Sequence, residues 1–306
     1  MNLARLDLAN MEQLGEVASV SSSQLLCIIR NKESYYESFF MKKKDGAPRE
    51  INPPKPELAE IQLRLKNYLQ KRLKWTNAVH GGIPKRSIIT NAERHMGKLW
   101  VANLDISKFF PSTKPAQIES ALQRAGCSTP VANLFAELTT FRNGLPQGSP
   151  TSTILSNLVL EPMDSQFLRL CHRNSLTYTR YIDDITISGD INLNPFYSAF
   201  IKIIQSSGFE VQTKKVHITP HSQRQVVTGL VVNDRLRPTG EFLSNLKRAI
   251  RRCWNGPEEI AIAAAEEGHE PREFIRSLCG KVNHVKSVDP KLGRKIRALC
   301  TKIPHL

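Results

Sequence analysis

The chain contains 306 residues, of which 40% are hydrophobic and 23% are charged. This composition is typical of a globular protein, and the length predicts two or three subdomains around substantial cores. A marginal mini-protein is excluded. No segment approaches the run of about 18 apolar residues that would predict a membrane span.

The chain is strongly basic, because 43 lysines and arginines against 28 acidic residues give a net charge of +15. This excess predicts a polyanionic partner, and nucleic acid is favoured over anionic lipid, so we expect no membrane partner. The basic residues recur along the whole chain, as a long groove for a phosphate backbone would require. A merely solvated basic surface is the alternative that charge alone leaves open.

The N-terminal segment and the cysteines indicate the compartment. The first residues include acidic side chains and lack the apolar core of a secretory signal, so we expect a cytoplasmic protein. The six cysteines are scattered without a close pair, which argues against a zinc knuckle and against a disulfide framework.

The first predicted elements are a helix, a strand and two more helices. Leucine and isoleucine recur at steps of three and four residues over 58–74, which predicts a helix with one apolar stripe. The segment KLWVANLDISKFF, at 98–110, predicts a strand that ends in aromatic residues and is stopped by Pro111. Two helices are predicted over 114–126 and 130–141.

The elements predicted for the second half of the chain include a hairpin. After the loop NGLPQGSP we predict a helix over 151–170, which Thr151 or Ser152 would cap. The segments TYTRY and ITISG, at 177–181 and 185–189, predict two strands of a hairpin. The elements expected after it are a helix closed by Gly208, short strands within 209–220 and 225–234, and basic helices from about Thr239. The whole pattern predicts a mixed α/β core with helical regions before and after it.

Two adjacent carboxylates, Asp183 and Asp184, lie in the turn of the predicted hairpin. Successive strand residues point to opposite faces of a sheet, whereas two side chains at a tight turn can converge. Like-charged carboxylates a few ångströms apart repel each other unless a cation lies between them. Mg²⁺ prefers oxygen ligands and is the natural partner. A solvated polar turn is the alternative for the pair alone.

A third carboxylate favours a site over a turn. Asp105 follows an apolar run at the end of the predicted strand in ANLDISKFF. Three carboxylates on neighbouring strands would form a two-metal site for phosphoryl transfer, in which one ion activates a hydroxyl and the other stabilises the leaving pyrophosphate. Asp105 alone could also be a helix cap or a turn residue.

Four motifs occur in an order and approximate spacing that resembles the palm of reverse transcriptases. They are NLDISKFFPS, NGLPQGSPTSTILSN, YIDD and GFEVQTKKV, and the resemblance extends from about Lys42 to Val232. It implies an RNA-directed DNA polymerase with an α/β (α+β) right-hand fold, in which an antiparallel sheet plus helices form the palm. The implied subdomains are N-terminal helices and fingers over 1–98, a palm over 99–238 with an interleaved fingers segment at about 112–145, and a basic helical thumb over 239–306.

The same resemblance implies roles for individual residues. Asp105, Asp183 and Asp184 would be catalytic and would hold two Mg²⁺ ions, with the Ile106 carbonyl as a further metal ligand. The implied nucleotide-binding residues are Arg49 at the triphosphate, Phe110 as a gate against a ribose 2′-hydroxyl, Gln147 and Gly148 at the pocket floor, and Lys215 near the leaving phosphate. The alternatives are a core role for Phe110, a plain turn for Gly148, and solvated surface charges for Arg49 and Lys215. Phe109, beside Phe110, is the expected core residue.

One segment resembles the insertion that the retron branch of the family carries before its first catalytic aspartate. It lies at about 77–98 and includes HGGIPKRSIITNAERHMGK, in which Asn91, Ala92 and His95 fit an Asn-Ala-x-x-His motif. A near match at 77–80 lacks one spacer residue. The resemblance implies RNA recognition by these residues, and the alternative for His95 is to pack the insertion against the palm.

A second motif of the same branch is Val227, Thr228 and Gly229 in QVVTGLVVND, and it implies recognition of a structured RNA beside the thumb. Val227 and Gly229 could equally be ordinary strand residues. One departure lies in the catalytic motif, where Ile182 stands in place of the alanine that is usual in retrons. We expect it to affect fidelity or nucleotide preference and to leave metal binding unchanged.

A retron reverse transcriptase would bind its cognate noncoding RNA and prime from the 2′-hydroxyl of an internal guanosine. From dNTPs it would make a branched RNA–DNA hybrid, msDNA. The resemblance also implies an effector or toxin protein as a partner and a role in anti-phage defence, and it leaves higher-order assembly open. Two alternatives remain: a group II intron-like, diversity-generating or abortive-infection reverse transcriptase, and a catalytically inactive RNA-binding scaffold.

Overall fold

The computed structural model describes residues 6–42 and 46–303. Its helices are α1 (Met11–Ala18), α2 (Ser22–Arg30), α3 (Pro56–Arg72), α4 (Ile88–Glu93), α5 (Phe109–Ser112), α6 (Pro115–Arg124), α7 (Thr129–Thr139), α8 (Ser152–Val159), α9 (Glu161–Arg173), α10 (Tyr197–Ser206), α11 (Gly240–Arg252), α12 (Pro257–Glu266), α13 (Pro271–Val288) and α14 (Pro290–Cys300). Its strands are β1 (Phe39–Lys42), β2 (Pro48–Ile51), β3 (Trp100–Asp105), β4 (Thr177–Tyr181), β5 (Asp184–Gly189), β6 (His217–Pro220), β7 (Val226–Val227), β8 (Leu230–Val231) and β9 (Arg237–Pro238).

The described chain divides into two compact units, each made of two stretches. Unit 1 contains the chain up to Ser87 together with Ala102–Ile218, and unit 2 contains Ile88–Val101 together with the chain from Thr219 onward. These limits follow compactness alone, so the predicted bounds of fingers, palm and thumb stay predictions.

A four-stranded sheet with the order β4-β5-β3-β6 carries the candidate site. β4 and β5 form the predicted antiparallel hairpin, in which Tyr181 lies opposite Asp184. This register leaves Ile182 and Asp183 as a two-residue turn. The hairpin packs on α9, where the Phe167 ring stacks on Tyr178 at 4.9 Å between centroids. The buried aromatic face therefore fixes the register of the strands that carry the turn.

The predicted apolar stripe on α3 is confirmed. Leu58, Ile61, Leu65 and Leu69 are all buried in a cluster shared with α1, α2 and α6–α8. The helix begins at Pro56, slightly earlier than predicted, because proline needs no hydrogen-bond partner for its nitrogen in the first helical turn.

The strand prediction for 98–110 is wrong beyond Asp105. β3 ends at that residue, and the aromatic residues lie in the single helical turn of α5. Lys108 has a φ of +45°, so the chain reverses direction just before Phe109. Phe109 is consequently buried, with its ring 5.6 Å from that of Phe209, in the core role expected for it. A pattern of apolar residues cannot reveal one left-handed residue.

The single helix predicted over 151–170 is two helices, α8 and α9, which meet at Leu160. Pro162 has no N–H to donate, so it is tolerated in the first turn of α9 and would disrupt a helix interior. The predicted cap is also wrong. Thr151 occupies the N-cap position without a side-chain capping bond, and its hydroxyl lies 3.0 Å from the Ser149 hydroxyl.

Unit 2 combines a small sheet with helices. The strands have the order β7-β8-β9, and α4 packs against β7 and β8. As predicted, the described chain from Thr239 is helical, and Thr239 caps α11 by accepting a hydrogen bond from the Phe242 N–H. Buried residues such as Ile250, Phe274 and Val285 join α11 to α13. None of the helices in the described ranges has the length and apolar character to cross a membrane.

Candidate active site

Three carboxylates converge at one end of the sheet of unit 1. Asp105 is the last residue of β3, Asp183 lies in the β4–β5 turn, and Asp184 begins β5, the strand next to β3. One oxygen from each carboxylate lies within 4.8 Å of the others. Adjacent strand residues could not converge in this way. The two-residue turn, in which Ile182 has a φ of +61°, redirects the backbone between the strands.

The electrostatics of this carboxylate cluster suit a cation. The protein around Asp184 reduces the hydration of its carboxylate, and repulsion from Asp183 and Asp105 adds to this effect, so its pKa is raised to about 7. Burial and repulsion from Asp105 also raise the pKa of Asp183. Lys215 partly offsets the negative charge, because its Nζ donates to Asp105 Oδ2 at 2.7 Å. Converging oxygen donors with excess negative charge fit the predicted Mg²⁺.

A cavity of about 610 Å³ is lined by four of the predicted nucleotide-binding residues, namely Arg49, Phe110, Gln147 and Gly148. Ile182, from the turn between β4 and β5, lines the same cavity. The cavity therefore reaches the turn that carries Asp183.

The β1–β2 hairpin and the LPQG loop at 145–148 both contribute residues to the lining of this cavity. Arg49 lies on β2, opposite Met41 of β1, and its side chain is exposed. The Asn52 N–H donates to the Gln147 carbonyl at 2.7 Å, which ties the loop to the strand. Gly148 has a φ of +101°, a conformation that side chains disfavour, and a Cβ there would lie 3.2 Å from Ile51 Cγ2. The backbone conformation therefore favours glycine, and an added methyl group would also press against the Ile51 side chain.

Phe110 is half-buried at the edge of the cavity. Its carbonyl accepts a hydrogen bond from the Leu145 N–H at 3.0 Å, and its ring lies 5.4 Å from that of the buried Phe109. Ile106 follows Asp105 directly, and its side chain is buried. Lys215 lies in a 3₁₀ turn over Thr213–Lys215 and contacts Asp105, and it is not among the residues that line the cavity.

The two retron-type motifs lie together in unit 2. Asn91, Ala92 and His95 are fully buried, and Ala92 shares a hydrophobic cluster with Val227. The Thr228 hydroxyl donates to the Ile88 carbonyl at 2.9 Å, which joins the second motif to the start of α4. The structure thus brings together residues more than a hundred positions apart, and it buries most of them.

Thr228 and Gly229 form the two-residue turn between β7 and β8. Both have positive φ values, +44° and +82°, as a type I′ hairpin turn requires. Gly229 is exposed, whereas Val227 is buried in the cluster beneath the turn. Of the six motif residues, the turn pair alone keeps accessible surface.

Sequence reasoning missed a buried polar group beside the carboxylate cluster. Arg180, Asp164 and Asn157 are buried next to the β4–β5 turn, and Arg180 donates hydrogen bonds to both of the others. The available signal was the position of Arg180 in β4, where alternation places it on the same face as the core residue Tyr178. A charged side chain on the inward face of a strand requires a hydrogen-bonding or oppositely charged partner.

Comparison with known proteins agrees with this geometry. The family described as reverse transcriptase (RNA-dependent DNA polymerase) matches residues 41–232. The retron Mx65 reverse transcriptase of Myxococcus xanthus is 34% identical over 288 residues, covering 87% of this chain and 64% of that protein. The retron Mx162 reverse transcriptase of the same organism is 29% identical, covering 97% of this chain and 67% of that protein. The chain thus spans about two thirds of the length of these two relatives.

A third relative is closer in length. The retron Ec86 reverse transcriptase of Escherichia coli is 29% identical over 302 residues, covering 96% of this chain and 89% of that protein. Among solved structures, telomerase from Candida albicans in complex with a fragment of telomeric RNA has a TM-score of 0.51 at 11% identity, covering 88% of this chain and 56% of that chain. This likeness concerns the fold alone, and together with the family match it confirms the predicted right-hand polymerase fold.

Proposed function

The chain belongs to the reverse transcriptase family, among the retron reverse transcriptases of bacteria, and from this premise we propose that it copies its cognate noncoding RNA into DNA. The observation that carries the proposal is the convergence of Asp105, Asp183 and Asp184 next to Ile182, which precedes Asp183 and lines the same cavity as Arg49 and Phe110. An inactive RNA-binding scaffold would have no need to keep three repelling carboxylates together.

In this proposal, the carboxylates of Asp105, Asp183 and Asp184 and the carbonyl of Ile106 hold two Mg²⁺ ions. Bound there, the ions would lower the pKa of the attacking primer hydroxyl and would neutralise the charge that develops on the leaving pyrophosphate. Lys215 would balance the charge of the leaving group, and its contact with Asp105 at 2.7 Å supports this role.

The cavity residues would position the incoming dNTP. The exposed guanidinium of Arg49 binds the triphosphate, since a planar guanidinium donates two parallel hydrogen bonds to phosphate oxygens. Phe110 packs beneath the sugar and leaves no room for a 2′-hydroxyl. Gln147 and Gly148 form the floor, where the glycine permits close approach of the backbone.

For the RNA-recognition motifs we propose a division of labour. The burial of Asn91, Ala92, His95 and Val227 supports an indirect role, in which they hold the hairpin turn in place. Thr228 and Gly229 would then provide the contact with the structured RNA. The net charge of +15 supports a further, sequence-independent attraction to the phosphate backbone.

The finer features of a retron complete the proposal. The enzyme would prime from the 2′-hydroxyl of an internal guanosine in the cytoplasm and remain associated with its product, a branched RNA–DNA hybrid, msDNA. An effector protein would join this complex in defence against phage. The identity of the curated relatives as retron reverse transcriptases supports these features.

Primer extension tests the proposed activity. The purified chain, given an RNA template, an annealed DNA primer, dNTPs and Mg²⁺, should extend the primer, and the Asp183→Asn variant should not. Asp190→Asn is the matched control, because it makes the same charge change at the far end of β5, on an exposed residue. Extension by Asp183→Asn at the wild-type rate would contradict the assignment. The absence of extension by the wild type would favour the scaffold.

A further inference from the structure

Arg180 is fully buried in β4, three residues before Asp183, the first residue of the catalytic pair. An unpaired guanidinium would be strongly unfavourable at a buried position. The hydrogen bonds and the ion pair of Arg180 are therefore needed to keep it there. Burial acts to lower the pKa of Arg180, but the charge of Asp164 outweighs this effect and the pKa is raised. Arg180 therefore stays charged in the folded protein.

Asp164 of α9 neutralises one side of the guanidinium. Arg180 Nε donates to Asp164 Oδ1 at 2.7 Å, and Nη2 donates to Oδ2 at 2.6 Å. The Tyr178 hydroxyl also donates to Asp164 Oδ1, at 2.6 Å. This bidentate pair accounts for two of the three guanidinium nitrogens and fixes the plane of the group.

The third nitrogen, Nη1, reaches the catalytic turn. It donates to the Ile182 carbonyl at 2.8 Å and to Asn157 Oδ1 at 2.8 Å. Asn157 in turn donates from Nδ2 to the Gly81 carbonyl at 2.8 Å. One buried charge thus ties α8, α9 and the segment at Gly81 to the residue that precedes Asp183.

The turn needs such contacts because its conformation is unfavourable. Ile182 is a β-branched residue with a φ of +61°, which free chains rarely adopt. Gly81 packs directly on the same residue, since a Cβ at position 81 would lie 2.4 Å from the Ile182 nitrogen and 2.5 Å from its Cγ1. Arg180 therefore holds the carbonyl of Ile182 while Gly81 packs against its nitrogen.

We infer that Arg180 is a positioning residue for the metal centre: by holding the Ile182 carbonyl it keeps Asp183 and Asp184 aimed at Asp105. This inference rests on the proposed function, because it concerns the ions that the three carboxylates would hold. It assigns Arg180 no contact with nucleotide or nucleic acid. Loss of the hydrogen bond from Arg180 to the Ile182 carbonyl should weaken metal binding and slow DNA synthesis while leaving RNA affinity unchanged.

Arg180→Lys tests the inference against Tyr178→Phe. A lysine keeps the charge beside Asp164, but its single nitrogen cannot hold both Asp164 and the Ile182 carbonyl in the arginine geometry. Tyr178→Phe is the matched control, since it removes another buried bond to Asp164 without touching the turn. Mn²⁺ binding to each purified protein is measured by the loss of the free-ion signal in electron paramagnetic resonance. Primer extension and RNA affinity are measured in parallel.

We expect Arg180→Lys to weaken Mn²⁺ binding by about 10- to 100-fold, the range typical of residues that orient metal ligands. Tyr178→Phe should lower thermal stability without changing Mn²⁺ affinity, and neither variant should change RNA affinity. Equal Mn²⁺ affinity in Arg180→Lys and in the wild type would overturn the inference. The proposed function would survive that result if the wild type extends primers and Asp183→Asn does not.

Gly81→Ala provides a second test if Arg180→Lys does not fold. The added methyl group must displace the Ile182 nitrogen, so Mn²⁺ affinity should fall although Arg180 is intact. Gly280→Ala is the control, because a Cβ at that position meets nothing within 4 Å. Wild-type Mn²⁺ affinity in Gly81→Ala would show that the position of the turn does not control the metal centre.

Discussion

Protons and magnesium should compete for the carboxylate cluster in a predictable pH range. The pKa of Asp184 is raised to about 7 by reduced hydration and by the charges of Asp183 and Asp105. A protonated carboxyl group does not serve as a metal ligand, so magnesium binding must release this proton. The half-saturating Mg²⁺ concentration should therefore rise as the pH falls through 7.

The magnitude follows from the fraction of Asp184 that is ionised. With one group of pKa about 7, that fraction changes about tenfold between pH 8 and pH 6, and so should the half-saturating Mg²⁺ concentration. Between pH 8 and pH 9 it should change little. The assay is primer extension across a Mg²⁺ titration at each pH, with template, primer and dNTPs saturating.

Two results would show that protonation of Asp184 does not control magnesium binding. One is a half-saturating Mg²⁺ concentration that is constant from pH 6 to pH 8, and the other is a concentration that rises with pH. The direction of the pKa shift of Asp184 can also be tested through the thermal stability of the protein. A carboxyl group whose pKa is raised on folding favours the folded chain below its unfolded pKa, and this contribution is lost as the pH rises through about 7. In chelator at pH 8, Asp184→Asn should thus melt at a higher temperature than the wild type.

Three further predictions concern the cavity and the charge of the protein. Phe110→Ala should raise kcat/KM for ribonucleotides relative to deoxynucleotides, because the half-buried ring would no longer exclude a 2′-hydroxyl; an unchanged ratio in single-nucleotide incorporation would point to another gate. Gly148→Ala should raise KM for dNTPs, since φ at this position is +101° and the methyl group meets Ile51; wild-type KM would show that the loop adapts. RNA affinity, measured by fluorescence anisotropy, should fall steeply with salt because phosphate contacts release counterions, and a flat response would contradict a groove that follows the backbone.

The sequence predicted those features that local pattern or motif order determines. The stripe of α3 and the β4–β5 hairpin follow from periodicity, and both are confirmed. The convergence of Asp183 and Asp184 with Asp105 was predictable because a tight turn allows what a strand forbids. The LPQG loop and Arg49 meet in one cavity, although only the resemblance had linked them.

The sequence did not reveal features that depend on tertiary packing. Asn91 and His95 look like polar residues available for RNA contact, yet both are fully buried. The residue type of Lys108 does not indicate its left-handed backbone conformation, and the strand ends earlier than predicted. Strand alternation places Arg180 on the inward face of β4, but only the packing of α9 identifies Asp164 as its partner. For Arg180 the deciding contact comes from another element, the helix α9.

The nucleic acid that copurifies with the chain from its native host shows whether the chain is the reverse transcriptase of a retron. We expect DNA that stays joined to RNA after denaturation and is released by an enzyme that cleaves 2′,5′ branches. In a host that carries Asp183→Asn this DNA should be absent. RNA alone from the wild type, or DNA with no 2′,5′ linkage to RNA, would show that the chain is not a retron reverse transcriptase.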